Sequence, residues 1–178
     1  GGTVAQAGTV VLAAGSWSKG IANQAGLSLN VSPIKGQNLL MRLPPTVELS
    51  TNIYCEETIL VPRPGGHLIA GVTIESSGFD SRTTVDGIQS IMDRAQALVP
   101  ALSDARMEHA YAGLRPATVD GLPIIGRPAG IEGLIVATGH FRSGIALSPV
   151  TGSLIAKNIA NGEQLPKDFD LNRGGISD

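Results

Sequence analysis

The stretch Leu134-Ile135-Val136-Ala137-Thr138-Gly139-His140-Phe141-Arg142-Ser143-Gly144-Ile145 reads as a strand, a glycine-flanked turn and the start of a helix. The apolar run Leu134–Ala137 supplies the strand. The helix is expected from about Gly144 to Ala160, with Leu147, Val150, Leu154 and Ile159 inward and Gly162 beyond its C-terminus. Backbone N–H groups at such a helix start have no intrahelical partners and carry partial positive charge. They suit an anion, or a group that becomes anionic during a reaction. A plain strand-to-helix turn accounts for the same residues, because a lone glycine-rich turn is weak evidence.

Working outward, Gly8–Ala14 reads as a fully buried strand, closed by Ala14-Gly15-Ser16; Ser16 or Ser18 then caps a short helix through Gln24. A strand this early needs neighbours that the preceding residues do not supply, so an upstream portion is expected to be missing. Val31–Leu43 reads as a long strand stopped by Pro44-Pro45. Thr58–Arg63 and His67–Val72 are joined by Pro64-Gly65-Gly66, a hairpin signal. Ile88, Ile91, Met92, Ala95, Leu98 and Val99 follow helical spacing from Thr83 or Thr84 and stop at Pro100. Strand-like segments return at Met107–Leu114 and Pro123–Ile125, and Glu163–Asp178 reads as a loose polar tail. The order predicts an α+β fold on a mixed, largely antiparallel sheet with flanking helices.

Composition narrows the function. With a net charge of −2 over 178 residues there is no basic face for nucleic acid, and no Lys/Arg cluster suggests an anionic membrane. No apolar run approaches the roughly 20 residues that span a bilayer. The single Cys55 cannot form an internal disulfide, which points to a reducing compartment and the cytoplasm. His67 and His109 lack metal-ligand spacing, so no metal is expected. Lys35 reads as a solvated strand charge and Glu56-Glu57 as a solvated turn.

Two further stretches carry chemistry. In Leu114-Arg115-Pro116, followed by Thr118 and Asp120-Gly121, the proline makes a stiff mount for a guanidinium that can grip a carboxylate through two parallel hydrogen bonds. Alternatively, Arg115 is structural and pairs with Asp120 or a backbone carbonyl. Ala13-Ala14-Gly15-Ser16-Trp17-Ser18 is, by itself, a strand end, a turn and a cap.

Taken in order, several blocks resemble the D-amino-acid oxidase superfamily of FAD-dependent oxidoreductases, and within it the glycine oxidases associated with bacterial thiamine biosynthesis. They are Val11–Ser18, Pro33-Ile34-Lys35-Gly36-Gln37, Val61-Pro62-Arg63 with Gly71–Glu75, Gly113–Pro116, Asp120–Gly126, and Gly139–Ile145 with Pro149. The resemblance covers nearly the whole chain up to about Gly162. It implies residues 1–30 as the C-terminal remnant of an FAD-binding domain, ending its last strand, and residues 31–125 as the substrate-binding domain. Residues 126–162 would be a return segment with the flavin-contacting loop and final helix, and 163–178 a tail. The G-x-G-x-x-G element of the family's FAD domain is absent from the chain. An upstream FAD-binding half is therefore the implied partner, and the full enzyme is expected to be a homo-oligomer.

The resemblance further implies non-covalent FAD and hydride transfer from the α-carbon of a small amino acid or secondary amine to flavin N5, with hydrogen peroxide as co-product. No general base is expected, because the amine arrives neutral. Arg115 and Arg142 are the implied carboxylate-binding residues, and Ile59 and Ile74 the implied pocket wall. Flavin contacts map onto Ala14, Gly15 and Trp17, and onto Gly139, His140, Phe141, Arg142, Ser143, Gly144, Ile145 and Ala146. Ile59 stands where glycine oxidases carry a Tyr, which favours a larger or N-alkylated substrate over glycine. Ser143 replaces an Asn and is a capable N-cap. Two other readings stay open: a non-catalytic fragment or subunit that completes a flavin site, and an amino-acid dehydrogenase with an acceptor other than oxygen.

Overall fold

Short apolar runs seek partners on both edges and both faces, and the computed structural model, which describes residues 4–173, shows how these are met. Strand β1 (Val10–Leu12) lies parallel to β8 (Leu134–Thr138), with Val10 opposite Leu134 and Leu12 opposite Val136. On its other edge β8 takes β7 (Ile124–Gly126) antiparallel, giving the order β1-β8-β7. The pleat sends alternate residues to opposite faces. Ile124 and Val136 enter a core with Leu12, Ala22 and Leu29, whereas Ile125, Ile135 and Ala137 enter another with Ile155. Helix α1 (Ser18–Gln24) supplies Ala22 to the first core, and α3 (Gly144–Asn161) supplies Ile155 to the second.

The second sheet runs β3-β4-β5-β2-β6. It comprises β2 (Val31–Arg42), β3 (Ile53–Cys55), β4 (Thr58–Arg63), β5 (His67–Gly71) and β6 (Arg106–Thr118). The β4–β5 hairpin turns where expected, with Arg63 opposite His67 and positive φ at Gly65 and Gly66. Helix α2 (Val85–Leu98) is capped by the Thr84 hydroxyl, which accepts from the Gly87 amide at 3.1 Å. Its Ile91 and Ala95 are buried with Leu39, Leu60, Leu68 and Ala70. The expected α+β class, with a largely antiparallel arrangement and flanking helices, is what forms.

The chain divides into two compact units, residues 1–33 with 115–178 and residues 34–114. The return crossing falls at Leu114/Arg115, so the stretch 115–125 travels with the first unit. β6 runs on through Arg115 and Pro116 to Thr118, beyond the end expected at Leu114. β3 had no sequence expectation; the Glu56-Glu57 turn joins it to β4. In α3 the buried residues are Thr151 and Ile155, while Val150 and Ile159 are exposed. The helix is apolar around most of its circumference, so spacing alone could not select its inward face. The tail also departs from a loose segment: Leu165, Phe169 and Leu171 pack into the two cores of the first unit. Residues 174–178 of that tail, and 1–3 of the expected domain remnant, lie outside the described residues.

Lys35 is not a solvated strand charge. It is 2% exposed, pairs with Glu75 at 2.8 Å and donates to the Arg82 carbonyl at 3.3 Å. Gln37 donates to Glu75 at 2.8 Å and to Thr84 Oγ1 at 3.0 Å, and its carbonyl accepts from the Thr84 amide. Thr73 also donates to Glu75. This buried network fastens the N-terminus of α2 to β2. Burial raises the Glu75 pKa, but hydrogen bonds from Lys35, Thr73 and Gln37 outweigh it and leave the value below the usual carboxylate range. Glu75→Ala strands a buried cation and is expected to cost about 3 kcal/mol in urea unfolding. Lys35→Met should cost less, because Glu75 keeps its other donors and 30% exposure. Equal costs would contradict this account.

Candidate functional site

The site begins where β8 ends. Gly139 has φ +78°, and a Cβ there would lie 2.6 Å from Thr118 Cγ2 and 3.4 Å from the Ile124 nitrogen. The Thr118 methyl occupies the place of a side chain there, and the positive φ disfavours any residue but glycine. Phe141, also at positive φ, opens the short 3-10 turn Phe141–Ser143 that leads into α3. Ser143 occupies the N-cap position but makes no side-chain cap bond, contrary to the expectation for it. The first turn of α3 is left open at Ile145, which is 94% exposed, and Ala146 is exposed as well.

His140 Nε2 lies 3.0 Å from Thr151 Oγ1, tying the loop to the second turn of α3. Burial holds the imidazole pKa below its ordinary value. On the other side of β8, Thr138 Oγ1 donates to the Gly15 carbonyl at 2.9 Å. This joins the two strand ends, and between them opens a cavity of about 560 Å³ lined by Val11, Gly15, Pro116, His140, Phe141 and Thr151 among others. Gly15 and Gly144 reach the wall, Ala14 packs into the core, and the Trp17 ring is mostly exposed. Sequence reasoning gave Ser16 and Ser18 only a capping role. Their hydroxyl oxygens are buried without a hydrogen-bond partner among the described residues. The only sequence signal was their place beside Gly15.

Arg115, near the end of β6, is half-buried, and its Nη1 is buried without a partner. Its pKa is pushed down first by burial and then by the positive charge of Arg142. A bound anion would relieve both the unpaired Nη1 and the like charge acting on Arg115. The alternative pairing of Arg115 with Asp120 does not occur. Asp120 is held by Arg173 through a two-point ion pair, Nε–Oδ2 2.7 Å and Nη2–Oδ1 3.2 Å. Ile59 and Ile74 belong to the unit 34–114. Ile59 sits on β4 between Tyr54 and Gly71, and Ile74 lines a cleft of about 430 Å³ with Glu57, Glu75, Asp86 and Arg94.

Residues 1–158 match the family model described as FAD dependent oxidoreductase. The chain is 39% identical over 172 residues to the glycine oxidase of Geobacillus kaustophilus (strain HTA426), spanning 96% of this chain and 44% of that protein. The crystal structure of glycine oxidase from Geobacillus kaustophilus superposes with a TM-score of 0.83 at 38% identity, covering 92% of this chain and 44% of that one. That of iminodiacetate oxidase from Chelativorans sp. BNC1 gives 0.86 at 29% identity, covering 93% and 46%. The chain therefore spans less than half the length of these relatives.

His140 gives the site a pH signature. Because its folded pKa is depressed, the stability gained by keeping the ring neutral is complete above the unfolded value of about 6.5. It is lost as pH falls from there through the folded value. Urea midpoints at pH 7.5, 6.0 and 5.0 should fall for the native chain and fall less for His140→Gln. Parallel curves for the two would exclude His140 as the source.

Proposed function

We propose, from the premise that this chain belongs to the family of FAD-dependent oxidoreductases, that it is the substrate-side part of an oxidase deaminating a small amino acid or secondary amine, of the glycine, sarcosine or D-amino-acid type, with hydrogen peroxide as co-product. The observation that carries this reading is the unpartnered, half-buried Arg115 beside the charge of Arg142. A substrate carboxylate supplies the acceptor that Arg115 Nη1 lacks. Held by a planar two-point contact, it fixes the direction in which the α-carbon points.

The residues present suit FAD. Gly15 and Gly144 keep the wall of the largely apolar cavity low beside Val11, His140 and Phe141, which leaves room for a flat ring. FAD, when bound, supplies the acceptor for the hydride that leaves the substrate α-carbon. The chain contributes Gly15, the 139–144 loop and the uncapped amides of Ile145 and Ala146, whose partial positive charge favours negative charge on a bound ring. The substrate amine enters neutral, so no side chain is assigned as general base.

The partner in this reading is an FAD-binding half that brings a strand to β1. The second edge of β1 carries no strand among the described residues, and Val10 is 57% exposed there. A second reading, in which the chain completes a flavin site without catalysing, rests on the cavity that Gly15, His140, Phe141 and Gly144 line, since lining a cavity needs no carboxylate clamp.

Joined to the N-terminal part of a glycine oxidase, the chain should bind flavin and release peroxide with glycine, sarcosine or a D-amino acid. Arg115→Ala should weaken binding of a carboxylate inhibitor roughly tenfold to a hundredfold. Undiminished inhibitor affinity in that variant would remove the clamp assignment. Flavin binding without peroxide would favour the second reading.

A further inference from the structure

The segment after α3 wraps the edge of the first sheet. Leu165 and Phe169 pack on one face beside Ile125 and Ile135, and Leu171 packs on the other beside Ile124 and Val136. To reach both faces the chain rounds the edge strand β7, where a Cβ on Gly126 would lie 2.8 Å from Leu171 Cδ1. Such a wrap covers an edge that would otherwise present unpaired backbone groups. Packing alone explains residues 165–171. It does not explain Arg173.

Arg173 is only 12% exposed and spends its donors on one short turn. Besides the two contacts with Asp120, its Nη2 donates to the Leu122 carbonyl at 2.7 Å, and its Nη1 donates to the Asp170 carbonyl at 3.2 Å. The Leu122 carbonyl also accepts from Thr118 Oγ1 at 2.8 Å, and the Leu122 amide donates to Asp120 Oδ1 at 3.1 Å. Asp120 is held down to about 2, chiefly by the Arg173 hydrogen bond, so the pair stays charged across the neutral range. The turn that Arg173 grips is the one whose Thr118 methyl meets Gly139. Arg115 lies three residues earlier on the same strand.

We propose that Arg173 is a positioning residue for the site: through Asp120 and the Leu122 carbonyl it fixes the Thr118–Leu122 turn, and through Thr118 it fixes the 139–144 loop and the Arg115 guanidinium. The Arg115 part rests on the carboxylate-clamp reading; the loop part does not. A bidentate guanidinium suits this task because it fixes orientation as well as distance, which an ammonium does not. The C-terminal segment thereby acts on the site without lining it.

The test uses the full chain, with residue-resolved amide hydrogen exchange and titration with acetate followed at the Arg115 side chain. Arg173→Met should speed exchange at Gly139–Gly144 by roughly tenfold or more, with β4 and β5 unchanged, and should weaken acetate binding by a similar factor. Arg173→Lys should restore part of both effects. Asp120→Asn keeps the acceptor for the Leu122 amide and serves if Arg173→Met does not fold; it should show the same pattern, smaller. Unchanged exchange at 139–144, or a rise shared equally by β4 and β5, overturns the proposal. Should acetate fail to bind the native chain, the clamp reading falls, while the exchange data still decide the role of Arg173.

Discussion

The crossing of Gly139 over Thr118 and Ile124 is the constraint on which the site depends. A Cβ on Gly139 would meet the Thr118 methyl at 2.6 Å, with the Ile124 backbone at contact distance, so the β8-to-α3 turn and the end of β6 are packed on one another. From that contact one direction leads through His140 and Thr151 into α3, and the other through Thr118 to the Asp120–Leu122 turn and Arg173. The cavity wall at Pro116, Thr138 and His140 and the uncapped start of α3 lie next to these residues in the chain.

Electrostatics then separate two kinds of charge in the molecule. Lys35 with Glu75 and Arg173 with Asp120 are satisfied, each with further hydrogen bonds that offset desolvation. Arg115 differs: it is half-buried, its Nη1 is unpaired and the positive charge of Arg142 acts on it, whereas Arg94, whose Nε is also unpaired, donates through both other nitrogens to Ser90 and the Val72 carbonyl. A charge left with an open donor and a like charge acting on it is one that a bound anion can relieve.

Local features were legible from the residues. Helix α2 could be read from its 3.6-residue period and the Thr84 cap, and the β4–β5 hairpin from Pro64-Gly65-Gly66, because each is set by contacts within a few positions. The β8–turn–α3 unit was equally plain. The buried face of α3 was not, since an almost uniformly apolar helix carries no preference for one side. Burial of Lys35 was hidden for a different reason: its counter-charge, Glu75, stands forty residues further on and meets it through an isolated β-bridge beyond the end of β5. The wrap of residues 165–171 was hidden by a polar composition in which Leu165, Phe169 and Leu171 are too sparse to mark an element.

By itself the sequence determined the class of fold, the glycine-flanked turn at 139–144 and the family to which the site residues belong. These follow from residue type, period and motif spacing, which act over short stretches of chain. Only the tertiary structure decided which charge meets which. Asp120 stands five residues from Arg115, yet it pairs with Arg173, fifty-three residues further on, which leaves Arg115 Nη1 without a partner. Ion pairing depends on distance through space and on loss of solvent, and neither is a property of neighbouring positions in a sequence.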